Sequence, residues 1–570
     1  MAGGGSASTT PTPTATLTGT AASGAPIVGT VTIKDSSSTP RTKTVTIAAD
    51  GKYTVDVSDM TSPFMMRADG TVGGRSYSLY SAAASSDING TVNITPLTDL
   101  IVANIAGQVA SSIYTSGNFS SLTSTALSQA ETALQLRLQP VLTALGLDTA
   151  IDLLRATFNA NHTGLDAVLD VLRVTVDPAT AQATITNIIS NQQIIDDLAS
   201  QADVTTVDAT GVVTGATDLQ QIVAQFDAWT ALFATSLPSS TNIALLALFD
   251  STFKFDGEDL PTFLPHLTSD NLFIGAKFTN ITLDTLTATE ADVSFSVLHS
   301  GQSEHLKFKM IKVGGIWKMA GNQRIAYADI LTFASKDRLG TISTGLALEI
   351  QDEGALGIDY AIVTGPGLPT TGGGANGASA GALLVNNISN NSFRLAQPAA
   401  AYNGASTVLI TNGHNQLALS DTAIGSFGAN ETYTVTLWDD KLNTPSDVAD
   451  DTLVATYTNV IGKRPYLLTE LSAASFPTIT TTAAQIGSFA TAGGNLTVNW
   501  TLPSGLTSEE VYFSRSGASA QDSTEADVTA TATSAMLTIT APAFTVMGSG
   551  INLYAEDVFG RELVTTVNGQ

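Results

Sequence analysis

Histidine and cysteine are the side chains that most often bind metals or act as nucleophiles, and this chain uses them sparsely. It contains no cysteine, which excludes disulfide bonds, zinc ribbons, cysteine nucleophiles and iron–sulfur ligation. None of its histidines stands at an HxH, HxxxH or HExxH spacing from another. They are His162, His266, His299, His305 and His414. We therefore predict no metal ion and no cofactor.

One pair of histidines lies close enough in the sequence for a hairpin to bring the two rings together. His299 and His305 bracket a short polar segment that ends at Glu304. A zinc or iron site needs at least two such donors near a carboxylate. A polar segment of this kind is more typical of a solvent-exposed turn, which is the interpretation that we favour.

Two short hydrolase patterns occur by letter. Residues 377–381 spell GxSxG, but a nucleophile elbow requires a strand before the serine, and a Gly/Asn-rich run precedes it here. Ser251 and Lys254 spell SxxK without an SDN or KTG partner motif. The glycine run lacks the lysine and the following helix of a phosphate-binding loop. We interpret these patterns as chance matches and predict no catalytic residues.

Aromatic residues are dense in the middle of the chain. The set comprises Phe226, Trp229, Phe233, Phe249, Phe253, Phe255, Phe263, Phe273, Phe278 and Trp317. With Asp227, Asp256 or His266 nearby, a base that faces an apolar pocket could abstract a proton from a small organic ligand. We favour core packing, and ligand binding and catalysis are the alternatives. The candidate ligand-binding residues are Phe226, Trp229, Phe253, Phe263, His266 and Trp317.

An acidic segment in the C-terminal half could supply oxygen ligands to calcium. It contains Asp439 and Asp440, followed by Asp447, Asp450 and Asp451. Its spacing differs from the DxDxDG loop, and acidic loops between strands are usually just solvated. Calcium binding stays an open alternative at this segment.

Composition limits the possible partners. Among 570 residues, 50 are Asp or Glu and 24 are Lys or Arg, so the formal net charge is −26. No cluster of basic residues offsets this charge locally, which argues against nucleic acid as a partner. The length predicts about three to five domains. No run approaches the roughly 18 to 20 apolar residues that span a bilayer.

Residues 1–25 are small and polar and predict a flexible tether. Gly3–Ser6, directly before a Thr/Pro-rich stretch, resembles the start of a mature bacterial lipoprotein, in which a lipidated cysteine precedes such residues. The resemblance implies a bacterial cell-envelope address, with membrane attachment only through an N-terminal lipid. The alternative is that these residues are a plain linker.

Residues 26–92 alternate β-branched and polar residues, as in Ile27–Ile33 and Tyr53–Val57, with a turn at Asp50-Gly51. This pattern resembles the carboxypeptidase-regulatory-like (transthyretin-like) β-sandwich of secreted bacterial proteins. Residues 93–201 are rich in Ala, Leu and Gln at helical spacing, and Thr95 precedes Pro96 as a helix cap. We predict a small helical bundle there.

Residues 218–335 predict helices followed by an antiparallel sheet. The first helix is expected over 218–233, capped by Thr217 or Asp218. Strands are expected at 275–283, 291–299 and 305–313, with a turn at Gly314-Gly315 before Trp317. This order resembles NTF2-like α+β cone domains, which commonly enclose a pocket.

The remaining chain predicts two β-sandwiches, 338–464 and 465–570, joined at an exposed Arg464-Pro465. The second resembles fibronectin type III or other Ig-like modules, in which an inward Trp such as Trp500 and a late Tyr such as Tyr554 fill the core. We expect fragments 1–335 and 338–570 to fold separately.

The predicted fold class is therefore multidomain α+β: a β-sandwich, a small helical bundle, an NTF2-like α+β cone and two C-terminal β-sandwiches. The predicted function is non-catalytic binding of a surface protein, polysaccharide or matrix component at the bacterial surface. One alternative is a small apolar ligand carrier or enzyme that uses the NTF2-like pocket. The other is a structural subunit of a surface filament or matrix. We expect an outer-membrane-anchored lipoprotein or a cell-surface location.

Overall fold

The computed structural model describes residues 15–200, 204–299, 302–352, 356–370, 380–387, 392–396, 415–440 and 451–569. These fall into two compact units with interleaved segments. The first contains residues up to 72, 77–220 and 282–287, and the second contains 73–76, 221–281 and the chain from 288 onward. Within the described ranges, no helix is long and apolar enough to cross a membrane.

The described helices and strands are as follows. The helices are α1 (Pro96–Ala106), α2 (Ala110–Ser116), α3 (Ser124–Ala144), α4 (Leu165–Val171), α5 (Val212–Phe233), α6 (Ile243–Ala247), α7 (Leu260–Leu267), α8 (Asp421–Ile424) and α9 (Ala483–Ala492). The strands of the first half are β1 (Thr16–Thr20), β2 (Val28–Lys34), β3 (Thr42–Thr46), β4 (Lys52–Asp56), β5 (Phe64–Val72), β6 (Arg75–Ala83), β7 (Leu172–Asp177), β8 (Gln182–Asn187), β9 (Gln193–Asp197), β10 (Lys254–Phe255), β11 (Glu258–Asp259), β12 (Lys277–Leu286), β13 (Glu290–His299), β14 (Gln302–Val313) and β15 (Ile316–Met319). Those of the second half are β16 (Tyr327–Lys336), β17 (Ile342–Gln351), β18 (Tyr360–Thr364), β19 (Ala382–Asn387), β20 (Ser392–Leu395), β21 (Gln416–Ala418), β22 (Glu431–Asp439), β23 (Thr452–Ile461), β24 (Thr478–Ile479), β25 (Gly494–Thr501), β26 (Leu506–Ser516), β27 (Gln521–Asp527), β28 (Ser534–Ile539), β29 (Gly548–Asp557) and β30 (Arg561–Asn568).

The first module is a β-sandwich. One sheet has the order β3-β2-β5-β6, and the other pairs β1 with β4. Burial alternates along β4, where Tyr53 and Val55 point inward and Thr54 is exposed. Val31 and Phe64 complete the same core. The alternation that predicted strands in this segment is thus the pattern that builds its inner face.

The prediction of a flexible tether over residues 1–25 is wrong for its second half, because strand β1 begins at Thr16. Strand β1 pairs with β4, so that Leu17 lies opposite Val55, and both side chains are buried. Ala21 and Ala25 are also buried. The composition of this segment is typical of a linker. It forms a strand because its backbone pairs with β4 and because Leu17 is buried in the core. Residues 1–14 lie outside the described residues.

The helical segment begins as predicted. Thr95 caps α1, its hydroxyl accepts a hydrogen bond from the Thr98 N–H at 3.2 Å, and Pro96 occupies the first turn. The helix ends at Ala106 and is capped by Gly107, whose φ of +64° suits glycine. The buried side chains of α1 and α3 share one core, which includes Leu100 and Leu138.

The prediction of helices up to residue 201 is wrong for two stretches. Residues 172–197 form the three-stranded antiparallel sheet β7-β8-β9. Burial there has period two, since Ala183 and Ile185 point inward and Thr184 does not. No helix covers 145–164, where the Asp152 carboxylate accepts the N–H groups of Leu154 and Arg155. Such local side-chain bonds compete with helix formation.

Helices α5, α6 and α7 precede a sheet of order β12-β13-β14-β15, close to the predicted order. The predicted cap of α5 is wrong because the helix begins at Val212, and the Thr217 hydroxyl donates to the Val213 carbonyl inside it. The turn before Trp317 forms as predicted, with φ of +59° at Gly314 and +86° at Gly315.

The C-terminal half does not form the two independent sandwiches that the sequence predicts. A single sheet has the order β23-β22-β18-β19-β20-β17-β16-β30-β29-β26-β27. Strand β16 pairs in parallel with β30, with Thr332 opposite Arg561, and antiparallel with β17. The boundary that we expected between 335 and 338 therefore falls inside the β16–β17 hairpin. A cut there would separate two strands that share ten register pairs.

Two cores nevertheless lie along this sheet. One contains Leu348 and Tyr433, and the other contains Phe489 and Trp500. A sheet of order β24-β25-β28 covers the second core. These modules are β-sandwiches that share one backbone ladder.

The Arg464-Pro465 junction is not exposed. Pro465 is buried, and the Arg464 guanidinium forms an ion pair with Glu470 at 2.6 Å. The Arg561 guanidinium, 3.6 Å above the Tyr466 ring, closes the junction. The prediction of an exposed junction failed because ion pairing leaves the Arg464 side chain only 25% exposed, and stacking with pairing to Asp557 leaves that of Arg561 10% exposed.

Candidate functional site

The predicted aromatic site is built by α5 and the sheet that follows it. Phe226, Trp229 and Phe233 recur at helical spacing and place three rings on the buried face of α5. Phe278 stacks on Trp229 with ring centroids 3.8 Å apart and an interplanar angle of 15°. Phe295 meets Phe226 at 4.6 Å. The rings thus fill the space between helix and sheet by contacting one another.

A second group of rings extends this cluster toward α7. Phe249 lies edge-on to Trp229 at 5.5 Å and to Phe253 at 5.2 Å. Phe263 on α7 continues the series at 4.9 Å from Phe253 and is only half-buried. Trp317 on β15 is buried, and the Lys312 ammonium lies 5.3 Å from its ring centroid. Ring contacts of this kind are those of a filled core.

None of the three candidate bases faces these rings. The His266 side chain is 69% exposed and forms an ion pair with Glu258 at 3.0 Å. Asp227 is exposed on α5. Asp256 is buried in a turn with a φ of +47°, where its carboxylate accepts from the Asn322 amide at 2.9 Å. None of these three side chains is therefore placed to abstract a proton from a ligand at the rings.

One polar atom within the ring cluster lacks a partner among the described residues. Trp229 Nε1 is buried and forms no hydrogen bond. A buried N–H without an acceptor costs on the order of 1–3 kcal/mol. This group is the feature of the cluster that points to a bound acceptor.

The His299/His305 hairpin does not bring its imidazoles together. His305 pairs with Ser296 and Glu304 pairs with Val297, so that His299 shares a face with Glu304 and His305 lies on the opposite face. The distances are 3.2 Å from His299 Nε2 to Glu304 Oε1 and 3.0 Å from His305 Nδ1 to Ser296 Oγ. The hydrogen bond that His299 donates to the Glu304 carboxylate raises the pKa of His299, and burial lowers the pKa of His305. Contrary to our expectation of an exposed turn, His299 is buried.

The other sequence patterns do not form a described site. Ser251 and Lys254 are both exposed, the serine in a turn and the lysine at the start of β10. Most of the GxSxG pattern, the glycine run before it and His414 lie outside the described residues. Neither pattern therefore forms a catalytic site within the described residues.

The acidic segment proposed for calcium is described only at its ends, because 441–450 lie outside the described residues. The Asp359 carboxylate accepts the Asp440 N–H at 2.8 Å, and the Tyr360 hydroxyl donates to Asp451. Burial raises the pKa of Asp359, and neighbouring carboxylates add to this effect. Calcium binding remains a prediction here.

Sequence reasoning missed one group of ionisable side chains. His162, Asp166 and Asp170 each place a donor atom within 4.8 Å of the others. The signal in the sequence is an HxxxDxxxD spacing. It contains a single histidine and therefore differs from the histidine pairs that mark common metal sites.

Comparison with known proteins gives no assignment. No family model and no curated protein matches the chain. A biofilm-associated protein BSP domain is similar at 13% identity, over 50% of this chain and 42% of that chain, with a TM-score of 0.13. The chicken CNTN1 FN1-FN3 domains match at 11% identity, over 50% and 77%, with a TM-score of 0.14. A tetra-tandem repeat from the extending region of a large adhesion protein matches at 10% identity, over 97% and 98%, with a TM-score of 0.13. TM-scores this low identify neither a fold nor a function.

Proposed function

We propose that this protein binds a surface or matrix protein at the bacterial cell surface without catalysing a reaction, and that its partner adds a strand to β23. The observation that carries the proposal is the chemistry of this strand. Among the described strands, β23 ends the long sheet and pairs only with β22. Its sequence, residues 452–461, contains no charged residue.

The first half of β23 is the open part. Leu453 and Val454 are 48% and 38% exposed, and consecutive strand residues point to opposite faces. In the second half one face is covered, because the Tyr457 hydroxyl accepts from the Ile325 N–H at 2.7 Å and the Asn459 amide donates to the Ala328 carbonyl at 2.9 Å. Val460 on the other face is 42% exposed. The first half is therefore the part of the strand with both faces accessible to an extended segment.

The opposite end of the sheet provides the contrast. Strand β27 carries Asp522, Glu525 and Asp527 within seven residues. Proteins protect edge strands with charges because uncovered edges pair with other chains. Strand β27 has this protection and β23 lacks it. An unprotected edge is the usual feature of recognition by strand addition.

The module identities and the lipid anchor belong to the same proposal. The order of helices α5–α7 followed by β12–β15, with Trp317 on the last strand, supports an NTF2-like domain. The lipid anchor rests on the resemblance of Gly3–Ser6 to lipoprotein starts. On this proposal the anchor holds the chain at the envelope and the C-terminal sheet presents β23.

The test places charges on the open edge. The full-length Leu453→Lys, Val454→Lys double variant should bind intact producing cells and their purified extracellular matrix at least tenfold more weakly, because pairing would bury the added ammonium groups. Ser523→Lys on β27 is the matched control and should bind like the unmodified chain. Equal binding by all three proteins would contradict the proposal. If the double variant loses only self-association in sedimentation, the filament-subunit alternative replaces it.

A second candidate function rests on Trp229 Nε1. A small apolar ligand with one acceptor atom would satisfy this buried donor. Titration of the full chain with fatty acids, monitored by tryptophan fluorescence, tests it. Saturable quenching in the unmodified chain, together with weaker binding by Trp229→Phe in isothermal titration, supports a carrier, and absence of saturation rejects it.

A further inference from the structure

His162, Asp166 and Asp170 form a compact group in the first unit, away from the rings and from β23. Asp166 and Asp170 are one helical turn apart on α4, so both carboxylates project from the same side of this short helix. His162 lies just before the helix, and its backbone N–H donates to Asp166 Oδ2 at 2.7 Å. His162 Nδ1 lies 3.0 Å from Asp170 Oδ1.

Two oxygens of this group have no hydrogen-bond partner among the residues that the structure describes. Asp166 is 0% exposed and Asp170 is 6% exposed, and the atoms without a partner are Asp166 Oδ1 and Asp170 Oδ2. Buried carboxylates are normally paired with a cation or saturated with hydrogen bonds. The charged groups that act on Asp166 are Asp170 and His162, and the one that acts on Asp170 is His162. One imidazole cannot neutralise two carboxylates.

The structure assigns a divalent transition-metal site, with zinc as the preferred ion, to His162, Asp166 and Asp170. One donor atom from each residue lies within 4.8 Å of the others. Ligands of a tetrahedral zinc ion, with bonds of about 2.0–2.2 Å, are separated by roughly 3.3–3.6 Å, so small side-chain rotations bring the donors into place. Imidazole with carboxylates suits zinc or manganese, whereas calcium prefers oxygen donors alone.

The surroundings of the group combine one solvent-accessible edge with a close approach of the backbone. The His162 side chain is 12% exposed, so one edge of the group reaches solvent. Gly24 borders the other side, where an added Cβ would lie 3.0 Å from Asp170 Oδ1. The Gln220 amide donates to the His162 carbonyl at 3.0 Å and helps to hold the loop. Three protein donors leave the fourth position of a tetrahedral ion for water.

Ligands bind metals in their deprotonated form, so the two carboxylates and the imidazole would each offer a lone pair to the ion.

The experiment uses the full chain after dialysis against EDTA. Isothermal titration with Zn²⁺, with the bound ion counted by mass spectrometry, should give one site per chain and an upward shift in Tm. Co²⁺ in place of Zn²⁺ should give the visible absorption of a four-coordinate ion. Asp166→Asn and Asp170→Asn remove charges that are costly to bury, so both variants should fold at least as stably as the unmodified apo chain and lose the site.

His266→Gln is the matched histidine control, since His266 is exposed and lies outside the group. It should keep the site. Absence of stoichiometric Zn²⁺ and Co²⁺ binding would overturn the assignment in favour of a proton-sharing carboxyl pair. Binding that persists in both asparagine variants would overturn it as well, because the ion would then lie elsewhere.

Discussion

Replacement of Phe295 by alanine tests whether the ring cluster is a filled core. Phe295 is 0% exposed, and its centroid lies 4.6 Å from Phe226 and 4.9 Å from Phe308. Loss of a buried phenylalanine from a packed core costs about 3–5 kcal/mol, of which each lost ring pair accounts for roughly 0.5–1.5 kcal/mol. Because the ring is fully buried and meets two others closely, we expect a value in the upper half of that range.

The measurement is native-state hydrogen exchange followed by mass spectrometry on peptides that cover 222–233 and 290–299. A loss of 3–5 kcal/mol increases exchange by about a hundredfold to several thousandfold where it proceeds through opening of this module. Leu298→Ala is the control, because Leu298 lies on the other face of the same strand and is 38% exposed. It should change the opening free energy by about 0.5 kcal/mol or less.

A cost below about 1 kcal/mol for Phe295→Ala would refute the reasoning. It would mean that the rings line an open pocket that tolerates truncation. Recovery of the lost protection on adding a small apolar ligand would support the carrier alternative.

Two further predictions concern charged groups. Arg137→Met should cost about 3–5 kcal/mol of stability, because loss of the buried ion pair leaves the Asp196 carboxylate without its cation. Lys43→Met, at an exposed ion pair, should cost at most about 1 kcal/mol. Thermal unfolding distinguishes these outcomes, and equal costs would contradict the assignment. Burial, followed by repulsion from Glu509, raises the pKa of Glu556 to about 8. The folded state therefore holds this proton more tightly than the unfolded state, and its contribution to stability is lost as the pH rises through 8. Glu556→Gln should flatten the fall in Tm between about pH 5 and 8, and an unchanged slope would show that other groups cause it.

Local patterns predicted local elements well. The alternation around Tyr53 and Val55 marked a strand, and Thr95 with Pro96 marked the start of α1. These signals act within a few residues, so that sequence alone contains them.

Long-range pairing was not predictable in this way. Strand β16 pairs with β30, although Thr332 and Arg561 lie far apart in the chain. Neither strand carries a local signal for the other, since backbone hydrogen bonds do not depend on side-chain identity. The domain boundary near 335 failed for this reason. Strand β1 likewise joined β4 against a linker-like composition.

The two candidate sites differ in what the sequence could reveal. The rings of Phe226, Trp229 and Phe253 were located from composition, but the outward direction of His266 depends on its pairing with Glu258 on a neighbouring strand. The spacing of Asp166 and Asp170 was readable as one helix face. The proposal of a metal site rests on the buried carboxylate oxygens of these residues, which the sequence does not show.

Hydrogen exchange at β23 in the presence of the partner tests the proposed function most directly. The full chain is exchanged alone and with purified extracellular matrix from the producing cells, and peptides that cover 452–458 are compared with those that cover 521–527. Strand addition predicts slower exchange in 452–458 on binding, because new backbone hydrogen bonds form there, and no change in β27. Binding of matrix with unchanged exchange at 452–458, or with protection only at 222–233, would contradict the proposal.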